Sequence, residues 1–309
     1  MGLAGCCLAW QRHFRGQAFS WEDAGFARAS SRVAAGLINP VTGQNFSPSW
    51  RLGEFLPEAC EFYGRVAELL GRRIWHPLPV WRLVGEKEWA KVSGKLEAAS
   101  PWIESVTEDA LPGWRAVVVL RGGGRVATRE FCEGTQRFFE AARRDLAEGE
   151  DEVMCEGAAG LIAGRLGKHR CAKGEILTVR APAWSQERIS IGGGGWLVPL
   201  GEGMFKAGST YVWEPLDALP TVAGRERIEG ILRLLGGDDQ FEVIVHEAGI
   251  RPIVRKSQPV IGQLDDARVV FNGLGSKGSL YAPGVAARLN AWLEGGGSID
   301  PELDLAGLR

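Results

Sequence analysis

The feature that most constrains this chain is Gly2-Leu3-Ala4-Gly5, which runs straight into the apolar stretch Cys6-Cys7-Leu8-Ala9-Trp10. Glycines at the opening of a helix leave its first backbone N–H groups bare, so a pyrophosphate can approach with no side chain in the way. In the G-x-G-x-x-G pattern of dinucleotide folds, Gly2 and Gly5 take the places of the second and third glycines, while the first glycine and the strand before it are lacking. Gln17-Ala18-Phe19-Ser20-Trp21 reads as a short strand ending in Glu22-Asp23. That places an acid about twenty residues past the glycines, where it would accept both ribose hydroxyl protons. The plainer alternative is a helix that begins with small residues, followed by an exposed acidic turn.

With 309 residues, 45% of them hydrophobic and 24% charged, the chain can bury one large core or two smaller ones. Its 36 basic and 38 acidic residues are spread throughout, which gives neither a nucleic-acid footprint nor a polybasic membrane patch. No apolar run reaches the roughly twenty residues of a membrane span, and no leader pattern opens the chain. A cytoplasmic protein with a small ligand is expected, without nucleic acid or membrane as a partner. Cys6, Cys7, Cys60, Cys132, Cys155 and Cys171 form no C-x-x-C pair, so each is expected as a small buried apolar residue. His13, His76, His169 and His246 form no H-x-x-x-H pair, and His13 is expected at the end of the first helix. No metal site is expected, and any redox chemistry would come from a bound cofactor.

Periodicity predicts helices over Glu54–Leu70, Lys87–Ala98, Thr128–Leu146, Gly224–Leu235 and about Ala282–Leu293. Strands are predicted over Trp75–Val84, Ala116–Leu120, Glu175–Arg180, Gly195–Leu200, Met204–Trp213 and Val269–Asn272. Phe241–Val254 reads as one long strand interrupted by Gly249-Ile250-Arg251-Pro252. Gly122-Gly123-Gly124 reads as a hairpin turn, because no helix bearing Lys-Ser/Thr follows it, and Gly192–Gly195 as a flexible turn. Val153-Met154-Cys155-Glu156-Gly157-Ala158-Ala159-Gly160 repeats the opening logic, a strand delivered into a small-residue turn, behind a solvated acidic run at 148–152. Gly273-Leu274-Gly275-Ser276-Lys277-Gly278 again links a strand to a helix and offers backbone donors at a helix start.

Taken together, these segments resemble the FAD-dependent D-amino-acid oxidase superfamily, which includes glycine oxidase-like and sarcosine oxidase-like enzymes. The resemblance covers nearly the whole chain. It rests on Gly2-Leu3-Ala4-Gly5, Asp23, Ser31-Arg32-Val33-Ala34-Ala35-Gly36, Cys155-Glu156-Gly157, Lys173-Gly174-Glu175, Gly249-Ile250-Arg251-Pro252, Pro259-Val260-Ile261-Gly262 and the turn from Gly273 to Gly278. It implies an α/β (α+β) fold: a Rossmann-like FAD-binding domain with a mainly parallel sheet, plus an inserted antiparallel β-sheet substrate domain. The FAD-binding part would comprise residues 1–45, 125–170 and 245–309, and the substrate part residues 46–124 and 171–244.

The resemblance further implies that Gly2, Leu3, Ala4, Gly5 and Asp23 hold the ADP half of FAD. Ser31, Arg32, Ala35, Gly36, Gly157, Gly273, Gly275, Ser276, Lys277 and Gly278 would complete the cofactor site, and Arg251 would reach the substrate carboxylate. The last role suits a planar guanidinium, which grips a carboxylate bidentately; the alternative is a structural arginine paired with a nearby acid. Lys277 and the amides around it would stabilise negative charge on reduced flavin, or Lys277 is an exposed turn residue. Tyr211 and Trp213 would wall the substrate pocket, with core packing the plainer role for Trp213. No cysteine follows Cys171, where some relatives attach flavin, so FAD is expected to be noncovalent.

The implied activity is oxidation of a C–N bond of a small amino acid or secondary amine, by hydride transfer to flavin. Two rivals are a tRNA-modification oxidase of the same superfamily and an inactive flavoprotein relative. Oligomeric state is not legible. The half fingerprint reads as a lost N-terminal strand, so the chain as written is expected to bind FAD poorly or to be unstable until an upstream strand ending in glycine is added.

Overall fold

A computed structural model describes residues 1–23, 25, 29–43, 45–141, 152–237, 240–254 and 258–308. The glycine-led run forms helix α1 (Leu3–Phe14), which buries Leu3, Ala4 and the stretch from Cys6 to Trp10 and stops just before Gly16 at φ +69°. His13 lies in its last turn, edge-on to Trp10 and Phe138. Residues 17–21 form no strand, contrary to the expectation. Phe19 and Trp21 instead pack against the core side by side with α1, as tertiary burial of two aromatics outweighs a weak β signal.

A short α2 (Ser30–Val33), strands β1 (Leu37–Ile38), β2 (Val41–Thr42) and β3 (Ser47–Pro48), and the long helix α3 (Leu52–Leu70) follow. The apolar face predicted for α3 is buried through Phe55, Leu56, Ala59, Phe62 and Val66, and Gly71 ends the helix in the left-handed conformation. Next come β4 (Trp75–Pro77), β5 (Val80–Val84), α4 (Glu86–Val92), a 3-10 segment (Ser93–Trp102), β6 (Ile103–Leu111), β7 (Trp114–Leu120), β8 (Gly124–Val126) and α5 (Thr128–Ala141). The single strand expected over Trp75–Val84 is thus two, in different sheets, because Pro77 and Pro79 break the ladder between them. The helix expected over Lys87–Ala98 gives way to 3-10 geometry at Ser93. Residues 142–146 of the helix expected from Thr128, and most of the acidic run at 148–152, lie outside the described residues.

The remaining elements are β9 (Glu152–Met154), α6 (Gly157–Ile162), β10 (Ala172–Arg180), β11 (Ile189–Gly192), β12 (Gly195–Gly201), β13 (Met204–Gly208), α7 (Val222–Gly236), β14 (Glu242–Arg251), β15 (Val260–Gln263), β16 (Arg268–Asn272) and α8 (Gly278–Leu293). β13 stops at Gly208, five residues short of the expected end, and β14 runs unbroken through Gly249 and Ile250 to Arg251. α8 begins at Gly278, one turn earlier than the periodicity suggested.

These elements make an α/β molecule around one large sheet, in the order β14-β10-β13-β12-β11-β5-β7-β6. The named pairs in it are antiparallel except β5 with β11. α7 covers one face, setting Ile228, Ile231, Leu232 and Leu235 against Leu177, Val179, Leu197 and Phe205. The β11–β12 connection is the expected turn, a two-residue hairpin whose Gly193 and Gly194 both have positive φ. Gly122–Gly124 is not a hairpin. It carries the chain from β7 in the large sheet to β8, which pairs with β1 and β4 in a separate three-stranded sheet.

A third sheet, β15-β16-β9, has β16 antiparallel to β15 and parallel to β9. Against it pack α1 and α8, which α5 and α3 cover in turn, and the shared core of these elements includes Trp10, Phe55, Tyr63, Phe131, Phe271 and Tyr281. Trp10 buries its ring fully and donates its indole N–H to Thr135 Oγ1 at 2.8 Å, so the largest core side chain leaves no polar group unpaired. Four cysteines are buried as expected, but Cys60 and Cys155 are only partly covered; all six are free thiols. Among the described residues, no helix is long and apolar enough to cross a membrane and no His/Cys/Asp/Glu group can hold a metal.

Candidate functional site

Parallel strands β9 and β16 end side by side, and each delivers its chain into a glycine-bearing turn that opens a helix. The start of α1 lies against the same region: Gly5 approaches Cys155 on one turn, and Leu3 approaches Gly278 on the other. The space enclosed is a cavity of about 1670 Å³ reaching from Asp23 to Arg251. Trp213 aside, fifteen of the seventeen residues given a site role above line it: Gly2, Leu3, Ala4, Gly5, Asp23, Ser31, Ala35, Gly36, Gly157, Tyr211, Arg251, Gly275, Ser276, Lys277 and Gly278. Arg32 and Gly273 do not. Arg32 turns aside to Gln136 Oε1 at 3.0 Å, and Gly273 lies beneath the floor, against the Gln258 carbonyl and Val254.

At one end, Ser31 Oγ accepts the Leu3 amide at 3.0 Å, which ties the small-residue loop to the open end of α1. Asp23 sits beside this helix start: the Met1 ammonium and Gln136 Nε2 both donate to its Oδ2, and the Gly25 amide donates to Oδ1 at 3.1 Å. Burial alone would raise the Asp23 carboxyl, but these donors outweigh it and hold the group below the usual carboxylate range. An ionised acceptor beside bare helix amides suits a nucleotide's ribose and pyrophosphate.

The middle of the cavity depends on close backbone approach. Gly36 has φ +69°, and a Cβ there would fall 1.8 Å from the Val126 carbonyl oxygen. The Gly36 carbonyl in turn accepts the Val126 amide at 2.9 Å, so the loop is locked to the strand beneath it. Asn272, at the end of β16, donates its Nδ2 to the Gly157 carbonyl at 2.9 Å and accepts the Gly273 amide on Oδ1 at 2.8 Å. One buried amide therefore holds both glycine turns in register. Lys277 Nζ donates to Thr42 Oγ1 at 2.9 Å, and burial lowers its pKa, so it is not the exposed turn residue of the plainer reading.

At the other end, β14 and β10 pair with Arg251 opposite Ala172 and Gly249 opposite Gly174. The Arg251 side chain crosses over Gly174, where a Cβ would lie 2.1 Å from Nη2. Its Nη2 donates to Ser209 Oγ at 2.6 Å and to the Thr210 carbonyl at 3.1 Å, and its Nη1 to the Lys173 carbonyl at 3.3 Å. The guanidinium stacks on Tyr211, 5.0 Å from the ring centroid. Among the described residues no carboxylate pairs with it, and burial lowers its pKa. A partly buried cation with neutral partners, open to a cavity, is a ready receptor for an incoming anion.

Several residues of this site escaped the reading of the sequence. Gly174, Ser209, Thr210 and Asn272 act through neighbours far away in the chain, and the only hint was the position of Gly174 and Asn272 within or beside glycine motifs. Trp196 lines the cavity from β12. Lys206, on β13, is buried with its Nζ donating to the Val33 carbonyl at 2.6 Å and the Ala34 carbonyl at 3.3 Å, and burial brings its pKa down to about 8. Trp213, expected in the core, is exposed.

Residues 147–292 match the family described as FAD dependent oxidoreductase, DAO. The tRNA 5-methylaminomethyl-2-thiouridine biosynthesis bifunctional protein MnmC of Burkholderia mallei (strain SAVP1) is 27% identical over 141 residues, 43% of this chain and 22% of that protein. The chain thus spans only about a fifth of the length of the curated relatives it matches. Glycine oxidase from Geobacillus kaustophilus shares the fold with a TM-score of 0.79 at 18% identity, over 97% of this chain and 94% of that one. Iminodiacetate oxidase (IdaA) from Chelativorans sp. BNC1 gives 0.77 at 17% identity over 97% and 95%. L-proline dehydrogenase from P.horikoshii gives 0.74 at 14% identity over 99% and 95%. Residues 147–292 therefore match a DAO-family FAD-dependent oxidoreductase domain, within a chain that has the glycine oxidase fold over nearly its whole length.

Proposed function

We propose that this protein oxidises the C–N bond of a small amino acid or secondary amine whose carboxylate is held by Arg251. The observation that carries the reading is the partly buried Arg251 guanidinium, with only neutral partners among the described residues, facing the cavity that the glycine turns enclose. The two oxidases and the dehydrogenase above are named for small amino or imino acids, which supports the same substrate class.

The residues present fit FAD. The cavity exceeds the roughly 300–1,000 Å³ of an ordinary small-molecule pocket, and it joins an acid and bare helix amides at one end to a second set of glycine amides at α8. In this reading residues 1–45, 125–170 and 245–309 carry the cofactor, and residues 46–124 and 171–244 the substrate. Gly2–Gly5, Ser31 and Asp23 hold the ADP half, while Ala35, Gly36, Gly157 and Gly275–Gly278 line the flavin.

Bound FAD supplies a two-electron acceptor for the hydride that leaves the substrate carbon. The chain's part is orientation. Arg251 grips the carboxylate in its plane, and Ser209 and the Thr210 and Lys173 carbonyls fix the guanidinium so that the gripped carbon has one position. Tyr211 stacks on the guanidinium and shields it from water. Lys277, anchored by Thr42, keeps an ammonium among the α8 amides, where negative charge would be stabilised.

A panel of amino acids and N-alkyl amino acids, mixed without oxygen with the FAD-loaded protein, tests the reading through loss of the flavin's visible absorption. Reduction by at least one carboxylate-bearing amine is expected, and reduction by none of them would refute it. A second reading takes its support from MnmC, whose name refers to a modified uridine of tRNA. It predicts reduction by a tRNA carrying that modification and by no free amino acid.

A further inference from the structure

Behind the cavity wall, the large sheet buries a cation that the anion clamp does not use. Lys206, on β13, is 8% exposed, and among the described residues no carboxylate pairs with it. Its Nζ donates instead to the Val33 carbonyl at 2.6 Å and the Ala34 carbonyl at 3.3 Å. Glu247 and Glu130 favour the charge without pairing with it, Arg129 and Arg125 oppose it, and Glu247 is itself held by Arg129 at 2.6 Å. Across the sheet Lys206 faces Thr178 and Val198, which carry no charge. An ammonium buried without a counter-ion burdens the fold, and its pKa falls to about 8 through that burial.

The loop that Lys206 grips is the small-residue wall of the cavity, lined by Val33, Ala34, Ala35 and Gly36. The carbonyls of this loop are drawn to donors of the surrounding scaffold. Arg129 Nε donates to the Arg32 carbonyl at 3.1 Å, Thr128 Oγ1 to that of Ala34 at 3.3 Å, and the Val126 amide to that of Gly36 at 2.9 Å. A trans peptide points its N–H opposite to its C=O. With the Ala34 carbonyl held by Lys206 and Thr128, the Ala35 amide points the other way, and among the described residues nothing accepts it. A bare amide on a cavity wall calls for an acceptor from a ligand. Three residues past Lys206, the same chain supplies Ser209 to Arg251 Nη2 at 2.6 Å, so the braces of the cofactor loop and of the anion clamp leave one strand.

We propose that Lys206 is a positioning residue for the cofactor: its ammonium holds the Val33 and Ala34 carbonyls back, turns the Ala35 amide toward the cavity where FAD binds, and thereby sets how tightly FAD is held. The proposal rests on the FAD reading above and is independent of the substrate. Because the same charge burdens the fold and braces the loop, the two properties are separable.

Lys206→Met separates them, with FAD dissociation constants read from flavin fluorescence and apoprotein stability from urea unfolding at pH 7. Lys206→Met is expected to bind FAD about tenfold more weakly while its apoprotein is at least as stable as the unaltered one. In the unaltered protein, FAD affinity should fall as pH rises from about 7 to about 9 and the ammonium is lost, and the variant should show a flat profile. Lys206→Gln, which keeps a donor without the charge, should lie between the two, and the same comparison on it decides the matter if Lys206→Met does not fold. Unchanged FAD affinity overturns the proposal. So does a parallel loss of affinity and apoprotein stability, which would make Lys206 a support of the fold alone. Failure of the unaltered protein to take up FAD at any pH overturns the cofactor reading as well.

Discussion

The Arg251 guanidinium occupies the space that a side chain at position 174 would fill: a Cβ on Gly174 would lie 2.1 Å from Nη2 and 2.5 Å from Nη1. The glycine on β10 and the arginine on β14 are therefore one device, although 77 residues separate them. Gly174→Ala is expected to expel the guanidinium and raise KM for a carboxylate substrate about a hundredfold, in the range of a lost charge-assisted contact of roughly 2–3 kcal/mol. FAD content should be unchanged, and steady-state kinetics beside a flavin-to-protein absorbance ratio checks both.

Gly36 makes a second such demand, now on the backbone. At φ +69°, with the Val126 carbonyl 1.8 Å from a would-be Cβ, Gly36→Ala combines left-handed strain with a hard clash. A loss of at least about 2 kcal/mol of stability is expected, together with weaker FAD binding. Urea denaturation with and without added FAD measures each effect.

Asn272 couples the two glycine turns. Asn272→Leu leaves the buried Gly273 amide without its acceptor, at a cost of about 1–3 kcal/mol, deprives the Gly157 carbonyl of its donor, and frees the turns to drift apart. FAD dissociation should strengthen in proportion, about tenfold, as read by flavin fluorescence on dilution.

Lys206 gives stability a pH dependence. Its folded pKa of about 8 lies below the ordinary 10.5, so the unfolded chain binds more protons between these values, and stability rises with pH across that window. The contribution is complete above about 10.5 and is lost as pH falls through 8. Its size is about 3 kcal/mol. Lys206→Met should flatten the difference in unfolding free energy between pH 7 and 10.5 by that amount, relative to the unaltered protein.

Much of this was legible along the chain because the signals were local. The apolar spacing of Phe55, Ala59, Phe62 and Val66 announced α3, and Gly275-Ser276-Lys277-Gly278 announced the start of α8. The glycine turns that line the cavity lie in motifs whose backbone role is readable in place, whereas the roles expected of Asp23, Tyr211 and Arg251 rested on the family resemblance. What failed depended on tertiary neighbours. Gln17–Trp21 gave a β-like pattern, yet Phe19 and Trp21 were drawn into the core beside α1, and Gly122–Gly124 looked like a hairpin though its flanking strands belong to different sheets. Trp213 looked like a core residue because its hydrophobicity is a property of the side chain, whereas its exposure comes from β13 ending at Gly208. The pairing of Gly174 with Arg251 has no local trace at all.

The most direct test of the account is anaerobic reduction of the FAD-loaded protein by a carboxylate-bearing amine, run in parallel on Arg251→Ala. Arg251→Ala is expected to retain FAD while the substrate concentration for half-maximal reduction rises about a hundredfold, in line with a lost charge-assisted grip. Unchanged half-saturation in Arg251→Ala, with flavin still bound and reduced, would contradict the assignment of Arg251 as the anion receptor and the reading built on it.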